Sequence, residues 1–248
     1  MNTNISVSTS LAAEIAGIGY EGFRTWLKRG LLKATGILPG FYAPDAPAEI
    51  ADAKRWRWAA FGYADLCSFR LAKNLLDAGL PWDTVNPIVS DYTLWQSHQA
   101  DDSDGRHLVI HAGGTEWGIY TTKSLIDQLD SETRKRDWAI LIDLRDLRKD
   151  VVLRCRAASL KAVATDLVQT SHIFARSGAN LLPPQEVGER KHAIEQLAGE
   201  IDVLATEAAQ GGGSYAKFEV ILRHLHALGK FTEGPAVSAV AASFALRV

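Results

Sequence analysis

The stretch AAEIAGIGYEGFRTWLKRGLL, residues 12–32, decides the fold of the N-terminal part of this chain. The hydroxyl residues at positions 8–10 supply an N-cap just before it, and Leu11, Ile15 and Ile18 follow at helical spacing. A pair of glycines then breaks the pattern. We therefore predict a short first helix over the opening of this stretch.

The second half of the same stretch predicts another short helix, from about Tyr20 to Arg29. Its apolar side is formed by Phe23, Trp26 and Leu27, which recur at helical spacing. The glycine after Arg29 ends this helix as its C′ residue. Two short helices separated by a tight turn that contains glycine are typical of the helix-turn-helix motif.

A further stretch, FGYADLCSFRLAKNLLDAGLPWDTV at residues 61–85, continues the helical pattern. It predicts a buried helix over 64–78 that stops at Gly79, and another helix that Pro81 can begin. A second proline is predicted to interrupt that last helix early. Cys67 lies inside the apolar run and is predicted to be a core residue rather than a metal ligand, since no second Cys or His stands at ligand spacing.

Together these two stretches resemble the MerR family of bacterial DNA-binding regulators. The steps that match the family without a gap are Ala-Glu-apolar-Ala, Gly-apolar, apolar-Arg-x-aromatic, Gly-Leu-Leu and aromatic-x-x-x-Asp-Leu, here at residues 13–16, 17–18, 23–26, 30–32 and 61–66. The resemblance implies a winged helix-turn-helix DNA-binding domain over residues 1–90, with residues 33–57 longer than the usual wing.

A recognition helix in the major groove presents its N-terminal residues to base edges. This nominates Tyr20, Glu21 and Thr25 as the base-reading residues. Glu21 stands where the family commonly has a basic residue, and its carboxylate could accept a hydrogen bond from a cytosine amine. The resemblance also implies that Arg24 and Trp26 contact the DNA backbone or buttress the helix. Packing in the core is the alternative for the tryptophan.

Basic side chains gather in two short clusters within this part of the chain. The first consists of Arg24, Lys28, Arg29 and Lys33, against a single acid, Glu21. Arg24 and Lys28 stand four residues apart, so both could follow one phosphate strand from the same helical face. For Arg29 the alternative is an interaction with the helix C-terminus.

The second basic cluster is the sequence KRWRW, which begins at Lys54 and predicts a wing strand. Alternation places Lys54 with both tryptophans on one face, and Arg55 and Arg57 on the other. Arginines interleaved with tryptophans suit a wing that grips the DNA backbone. The alternative is a solvated strand whose tryptophans cover the core.

Beyond a polar linker over residues 91–105, the pattern changes. Residues 106–158 predict a small α+β unit with a hairpin, a helix from about Lys123, a buried strand over 138–144 and a helix over 145–156. The basic surplus of residues 134–161, nine Lys or Arg against four Asp or Glu, makes a second DNA contact an alternative to a solvated helix face.

Residues 159–248 predict a helical region for oligomerisation or for binding a partner or ligand. Apolar residues at helical spacing mark segments 159–176, 186–210 and 214–229. The final stretch AVSAVAASFAL is interpreted as a core helix, with a subunit contact as the alternative. The predicted fold class is therefore mainly α with small β (α+β).

The composition is that of an ordinary globular protein. The chain has 248 residues, 47% hydrophobic and 23% charged, with a formal net charge of −2. No apolar run approaches the roughly 20 residues that span a bilayer, and the N-terminus has no signal-peptide pattern. The two cysteines, Cys67 and Cys155, stand far apart and suggest no disulfide framework. We expect a cytoplasmic protein without a membrane partner.

Motifs for enzyme chemistry are absent from the sequence: it has no P-loop, no G-x-G-x-x-G after a strand and no H-E-x-x-H. We predict no enzyme activity, no cofactor and no metal. The leading hypothesis is a sequence-specific double-stranded DNA-binding transcriptional regulator that acts as a homodimer on a pseudo-palindromic site, with RNA polymerase or another protein as a further partner. The alternative is a phage-type architectural DNA-binding protein, similar to excisionases or packaging subunits, that recruits other proteins. A third is an enzyme whose site lies in 106–248.

Overall fold

The chain is mainly helical, with one small antiparallel sheet, as the sequence predicts. The computed structural model describes residues 5, 7–30, 61–91, 93–96, 105–111, 116–132, 139–178, 183–228 and 235–246. Contacts between residues divide the chain into two compact units. The main body of the N-terminal unit is Ser6–Val151, and that of the C-terminal unit is Val152–Arg247.

The N-terminal unit begins with two short helices, α1 (Thr9–Ala16) and α2 (Tyr20–Lys28). Ser8 is the N-cap of α1, and its side chain accepts a hydrogen bond from the Leu11 amide at 3.4 Å. Gly17 ends α1 with φ of 75°, a left-handed conformation that glycine adopts without steric cost. The capping signals read from the sequence therefore set both ends of α1 correctly.

Two further helices follow, α3 (Tyr63–Asp77) and α4 (Trp82–Val89), and α3 contacts both α1 and α4. The prediction that a proline would interrupt α4 is wrong, because Pro87 lies within the helix, which continues to Val89. A proline this close to the C-terminal end removes only one backbone hydrogen bond, which the short helix tolerates. Cys67 is fully buried in α3, as predicted.

The core of this unit is built around three aromatic rings. Phe23 of α2, Phe69 of α3 and Phe61 just before α3 are all fully buried. Their ring centroids lie 4.8 to 5.8 Å apart in edge-to-face arrangements, which aromatic quadrupoles favour. Phe61 also forms a two-residue antiparallel bridge with Val7, so the segment before α1 pairs with the start of α3. This cluster fixes α2 against α3.

The first residues of the predicted polar linker are packed rather than open. They include a four-residue helix, α5 (Thr93–Gln96), in which Leu94 and Trp95 are buried. The Trp95 indole nitrogen donates a hydrogen bond to the Ser68 hydroxyl of α3 at 2.7 Å. Burial of a tryptophan ring is favourable when its N–H has a hydrogen-bond acceptor. The average polarity of the segment gives no indication of this contact.

The sheet has three strands in the order β2-β1-β3, and each pair is antiparallel. Leu108 and Ile110 on the central strand are fully buried, and Leu108 pairs with Ile119 and Ile142 on its two neighbours. The predicted hairpin strands, helix and third strand are confirmed, although the hairpin connection lies outside the described residues. The prediction that the strand over 138–144 is buried is wrong: β3 has no buried residue, and Leu141 is 54% exposed, because β3 is an edge strand of the sheet that pairs only with β1. The elements are β1 (Arg106–His111), β2 (Trp117–Thr121), α6 (Thr122–Glu132) and β3 (Ala139–Asp143).

After the sheet comes the long helix α7 (Leu144–Gly178), which runs without a break through residue 158. The Asp143 carboxylate accepts hydrogen bonds from the amides of Arg145 and Asp146, at 2.7 and 3.2 Å, which is how an N-cap satisfies the first turn. The sequence predicted helix on both sides of residue 158 and a domain boundary at that residue. The division by contacts falls between Val151 and Val152, inside the same helix.

The C-terminal unit continues with three helices, α8 (Pro184–Ala209), α9 (Tyr215–Leu228) and α10 (Pro235–Ala245). Its core is an apolar cluster contributed by α7, α8, α9 and α10. Val240 of α10 is fully buried, which confirms the interpretation of the final apolar stretch as a core helix. No helix within the described ranges is both long enough and apolar enough to cross a membrane.

Candidate nucleic-acid interface

Helix α2 has one buried face and one exposed face. Phe23 and Leu27 stand four residues apart and are buried against the aromatic cluster. The helical period of 3.6 residues turns the positions between them outward. The exposed face is consequently polar and carries the predicted contact residues Tyr20, Glu21, Arg24, Thr25 and Lys28.

The exposed face contains an ion pair between Glu21 and Arg24. The Arg24 guanidinium donates to both carboxylate oxygens of Glu21, at 3.1 and 3.3 Å, and lies 5.7 Å from the centroid of the Tyr20 ring. Both partners are well exposed, so water screens the pair and it contributes at most about 1 kcal/mol. A phosphate can therefore replace the carboxylate as the partner of Arg24 at small cost.

Lys28 stands one turn beyond Arg24 and is also exposed. Across the described part of the chain it forms no ion pair, so its ammonium is available to an anionic ligand. Thr25 differs, because its hydroxyl donates a hydrogen bond to the Glu21 carbonyl at 2.9 Å. With its proton engaged inside the helix, Thr25 offers a base only its acceptor oxygen and its methyl group.

Trp26 is half-buried and packs against a second tryptophan, Trp82 at the start of α4. The two ring centroids are 5.7 Å apart with an interplanar angle of 63°, an edge-to-face contact. Arg29, the C-cap residue of α2, places its guanidinium 6.0 Å from the Trp82 ring centroid. Trp26 thus buttresses α2 against α4, and Arg29 lies at the edge of the same contact.

Four of the predicted contact residues, Lys33, Lys54, Arg55 and Arg57, lie outside the described residues, as does the predicted wing strand. Their roles stay predictions. The structure brings together only the contact residues of α2, which share its exposed face or border it.

Sequence reasoning missed two residues that position α2 and its neighbours. Trp82 gave only a weak signal, a lone tryptophan after a proline. Arg70 gave none: its guanidinium forms an ion pair with Asp150 of α7 at 2.7 Å and donates to the Ala16 carbonyl at the end of α1 at 3.3 Å. Arg70 therefore fixes the end of α1 immediately before the turn into α2.

The rest of the described chain holds little reactive chemistry. Burial raises the pKa of the Cys67 thiol to about 12, so it stays protonated and unreactive at neutral pH. Within the described ranges, no group of three or more His, Cys, Asp or Glu side chains could hold a metal ion.

The sequence matches no protein-family model, and a search of curated proteins finds no match either.

Proposed function

We propose that this protein is a sequence-specific double-stranded DNA-binding transcriptional regulator that resembles the MerR family. One observation carries the proposal. Arg24 and Lys28 are exposed one turn apart on α2, the second helix of a helix-turn-helix pair whose other face is fixed in an aromatic core. Cations spaced by one helical turn on a rigid helix suit successive phosphates of one strand.

In this proposal α2 lies in the major groove. Arg24 and Lys28 neutralise phosphates, which supplies affinity for any sequence. Tyr20, Glu21 and Thr25 lie toward the N-terminal part of the exposed face and read base edges, as recognition helices do with their first turns. Trp26, held by Trp82, keeps the helix at a fixed depth.

Glu21 gives the interface a source of selectivity. In the free chain its carboxylate is paired with Arg24. When Arg24 turns to a phosphate, the carboxylate must find a donor, and in the major groove the cytosine amine is the donor that Glu accepts from. Guanine and thymine present only hydrogen-bond acceptors in the major groove, where the uncompensated carboxylate repels DNA, so Glu21 favours sites with cytosine over guanine or thymine at its position.

The test is a titration of the full chain with fluorescent duplexes at several salt concentrations. One duplex carries the region upstream of the protein's own gene and the other a scrambled sequence of equal composition. We expect a preference of about a thousandfold for the former. The Arg24→Ala variant should weaken binding to both duplexes and lower the slope of log affinity against log salt by about 1.

Lys123→Ala on α6 is the matched control, because it removes an exposed cation that is not part of α2. It should leave affinity and slope unchanged. Equal affinity for the two duplexes would reject the regulator. A slope unaltered by Arg24→Ala would mean that Arg24 does not contact phosphate.

One observation favours a second candidate, an architectural DNA-binding protein that recruits other proteins. Many MerR regulators continue from the DNA-binding domain into a long dimerising helix. Here α4 has eight residues and α5 has four, and no longer helix occurs between them and β1 in the described residues. The same titration separates the candidates, since an architectural protein keeps the salt dependence but binds both duplexes equally.

A further inference from the structure

The C-terminal unit leaves two valines exposed on neighbouring helices. Val203 of α8 is 61% exposed and Val220 of α9 is 44% exposed. Both line one groove between the two helices, together with Leu204 and Ile221, which also belong to the core of the unit. Covering such a groove with another apolar surface removes both valines from water, which favours association.

The two rims of this groove carry opposite charges. Glu200 and Glu207 lie on the α8 side, and Lys217 lies on the α9 side. The Lys217 ammonium is 3.0 Å from the Glu207 carboxylate, which fixes the level at which the antiparallel helices face each other. The groove lining therefore has an acidic rim of two glutamates on α8, an apolar centre, and a basic rim that consists of Lys217 alone.

This order of charges is self-complementary under a two-fold rotation. A two-fold axis parallel to the helices and lying in the plane of the face sets α8 of one copy over α9 of the other, at the same level. The acidic rim then meets the basic rim twice, and Val203 of each copy meets Val220 of the other. Isologous dimers require such a match of a surface with itself.

We propose that the α8–α9 face, defined by Val203, Val220, Glu200, Glu207 and Lys217, binds a second copy of this chain. The dimer rests on the proposed function only because a two-fold DNA site requires a dimer. The surface itself is inferred from the residues of α8 and α9 alone. In this dimer the α8–α9 face provides the two-fold contact. Many MerR regulators form that contact with a long helix that follows the DNA-binding domain.

The first test measures the mass of the full chain in solution, without DNA, by sedimentation equilibrium. The wild-type chain should be a dimer at micromolar concentration. In the dimer, Val203→Glu and Val220→Glu each place a carboxylate against the apolar centre or the acidic rim of the other copy. Each substitution should raise the dissociation constant of the dimer by at least about 100-fold. Val168→Glu, on α7 at 40% exposure and outside the groove, is the matched control and should stay dimeric.

The second test exchanges the charges of the rims. Lys217→Glu makes both rims acidic, and the double change Glu200→Lys with Glu207→Lys makes both rims basic. Each variant alone should be monomeric, and an equimolar mixture should form a heterodimer. The Lys217–Glu207 pair is exposed, so its loss should leave the far-UV circular dichroism of each variant unchanged.

A wild-type chain that is still monomeric at a concentration 100-fold above the micromolar range overturns the proposal. So does a dimer that survives both valine substitutions, or one that Val168→Glu disrupts equally. Arg24→Ala keeps this outcome separate from the question of DNA binding: it should remove one phosphate contact and leave the dimer intact. A dimer that binds no DNA would reject the proposed function and keep this surface.

Discussion

Helix α2 and the α8–α9 hairpin each pack an apolar face against a core, but their exposed faces differ in chemistry. The outer face of α2 carries Glu21, Arg24 and Lys28, and its largest exposed apolar group is the Tyr20 ring. The outer face of α8 and α9 carries aliphatic side chains at Val203 and Val220 between charged rims. Charges on a rigid helix suit a polyanion, whereas an apolar centre with a charged rim is typical of a protein–protein contact. This difference is the reason why we propose DNA as the ligand of the first surface and a protein as the ligand of the second.

The cores beneath these surfaces differ as well. The N-terminal unit is organised by the rings of Phe23, Phe61 and Phe69, whereas aliphatic residues dominate the core of the C-terminal unit. All seven tryptophans precede Val152, so tryptophan fluorescence reports only on the N-terminal unit. Circular dichroism reports on the helices of both units. The two signals allow each prediction below to be assigned to one unit.

The largest effect is expected for Phe69→Ala. Phe69 is fully buried, with its ring 4.8 Å from that of Phe23 and 5.3 Å from that of Phe61, measured between centroids. Its removal leaves a cavity in the only aromatic cluster behind α2 among the described residues and should lower the free energy of unfolding by about 3–5 kcal/mol. Urea denaturation followed by tryptophan fluorescence measures this loss.

Phe218→Ala is the matched variant in the C-terminal unit, where Phe218 is also fully buried. It should move the transition seen by circular dichroism more than the transition seen by fluorescence. If both variants shift both transitions equally, the two units unfold as one cooperative body. In that case the different cores do not give the two units separate unfolding transitions.

A smaller loss is expected for Arg70→Ala. The half-buried guanidinium of Arg70 pairs with Asp150 and also bonds the Ala16 carbonyl, so its removal leaves two acceptors without their charged donor. We expect a loss of about 1.5–3 kcal/mol in the fluorescence transition. Lys73→Ala is the control on the same helix, because the Lys73–Asp77 pair is more exposed and local; its loss should cost less than about 0.5 kcal/mol. Equal losses would show that Arg70 acts no differently from a surface pair.

The smallest effect is expected for Gly188→Ala on α8. Gly188 is exposed, and no atom lies within 4 Å of the position of an added Cβ. Alanine should therefore raise the free energy of unfolding by about 0.5–1 kcal/mol, since glycine weakens a helix through its backbone entropy. Thermal unfolding followed by circular dichroism measures the gain.

Gly79→Ala reverses the sign of this effect in the other unit. Gly79 also has open space around its Cβ position, but its φ is +89°, which side chains with a Cβ rarely adopt. We expect a loss of about 1 kcal/mol, from backbone strain alone. A gain in stability for Gly79→Ala, or a loss for Gly188→Ala, would contradict this account of the two glycines.

Much of the fold followed from local signals in the sequence. Ser8 and Gly17 marked the ends of α1 because capping acts through neighbouring backbone groups. A glycine-containing turn between two short strands predicted β1, an apolar run predicted β3, and the apolar run around Cys67 predicted its burial. The packing of Trp95 on Ser68 did not follow, since that hydrogen bond joins residues 27 positions apart.

The candidate site divides in the same way. The sequence by itself determined that α2 is a short helix with Phe23 and Leu27 on one side and Arg24 and Lys28 on the other, because a period of 3.6 residues fixes which side chains share a face. Only the tertiary structure decided that Trp26 packs on Trp82, that Arg70 joins α1 to α7, and that Val203 and Val220 stay uncovered. These outcomes depend on which elements distant in sequence pack together. Helical periodicity determines the face on which a side chain lies, but it does not determine which residue that side chain contacts.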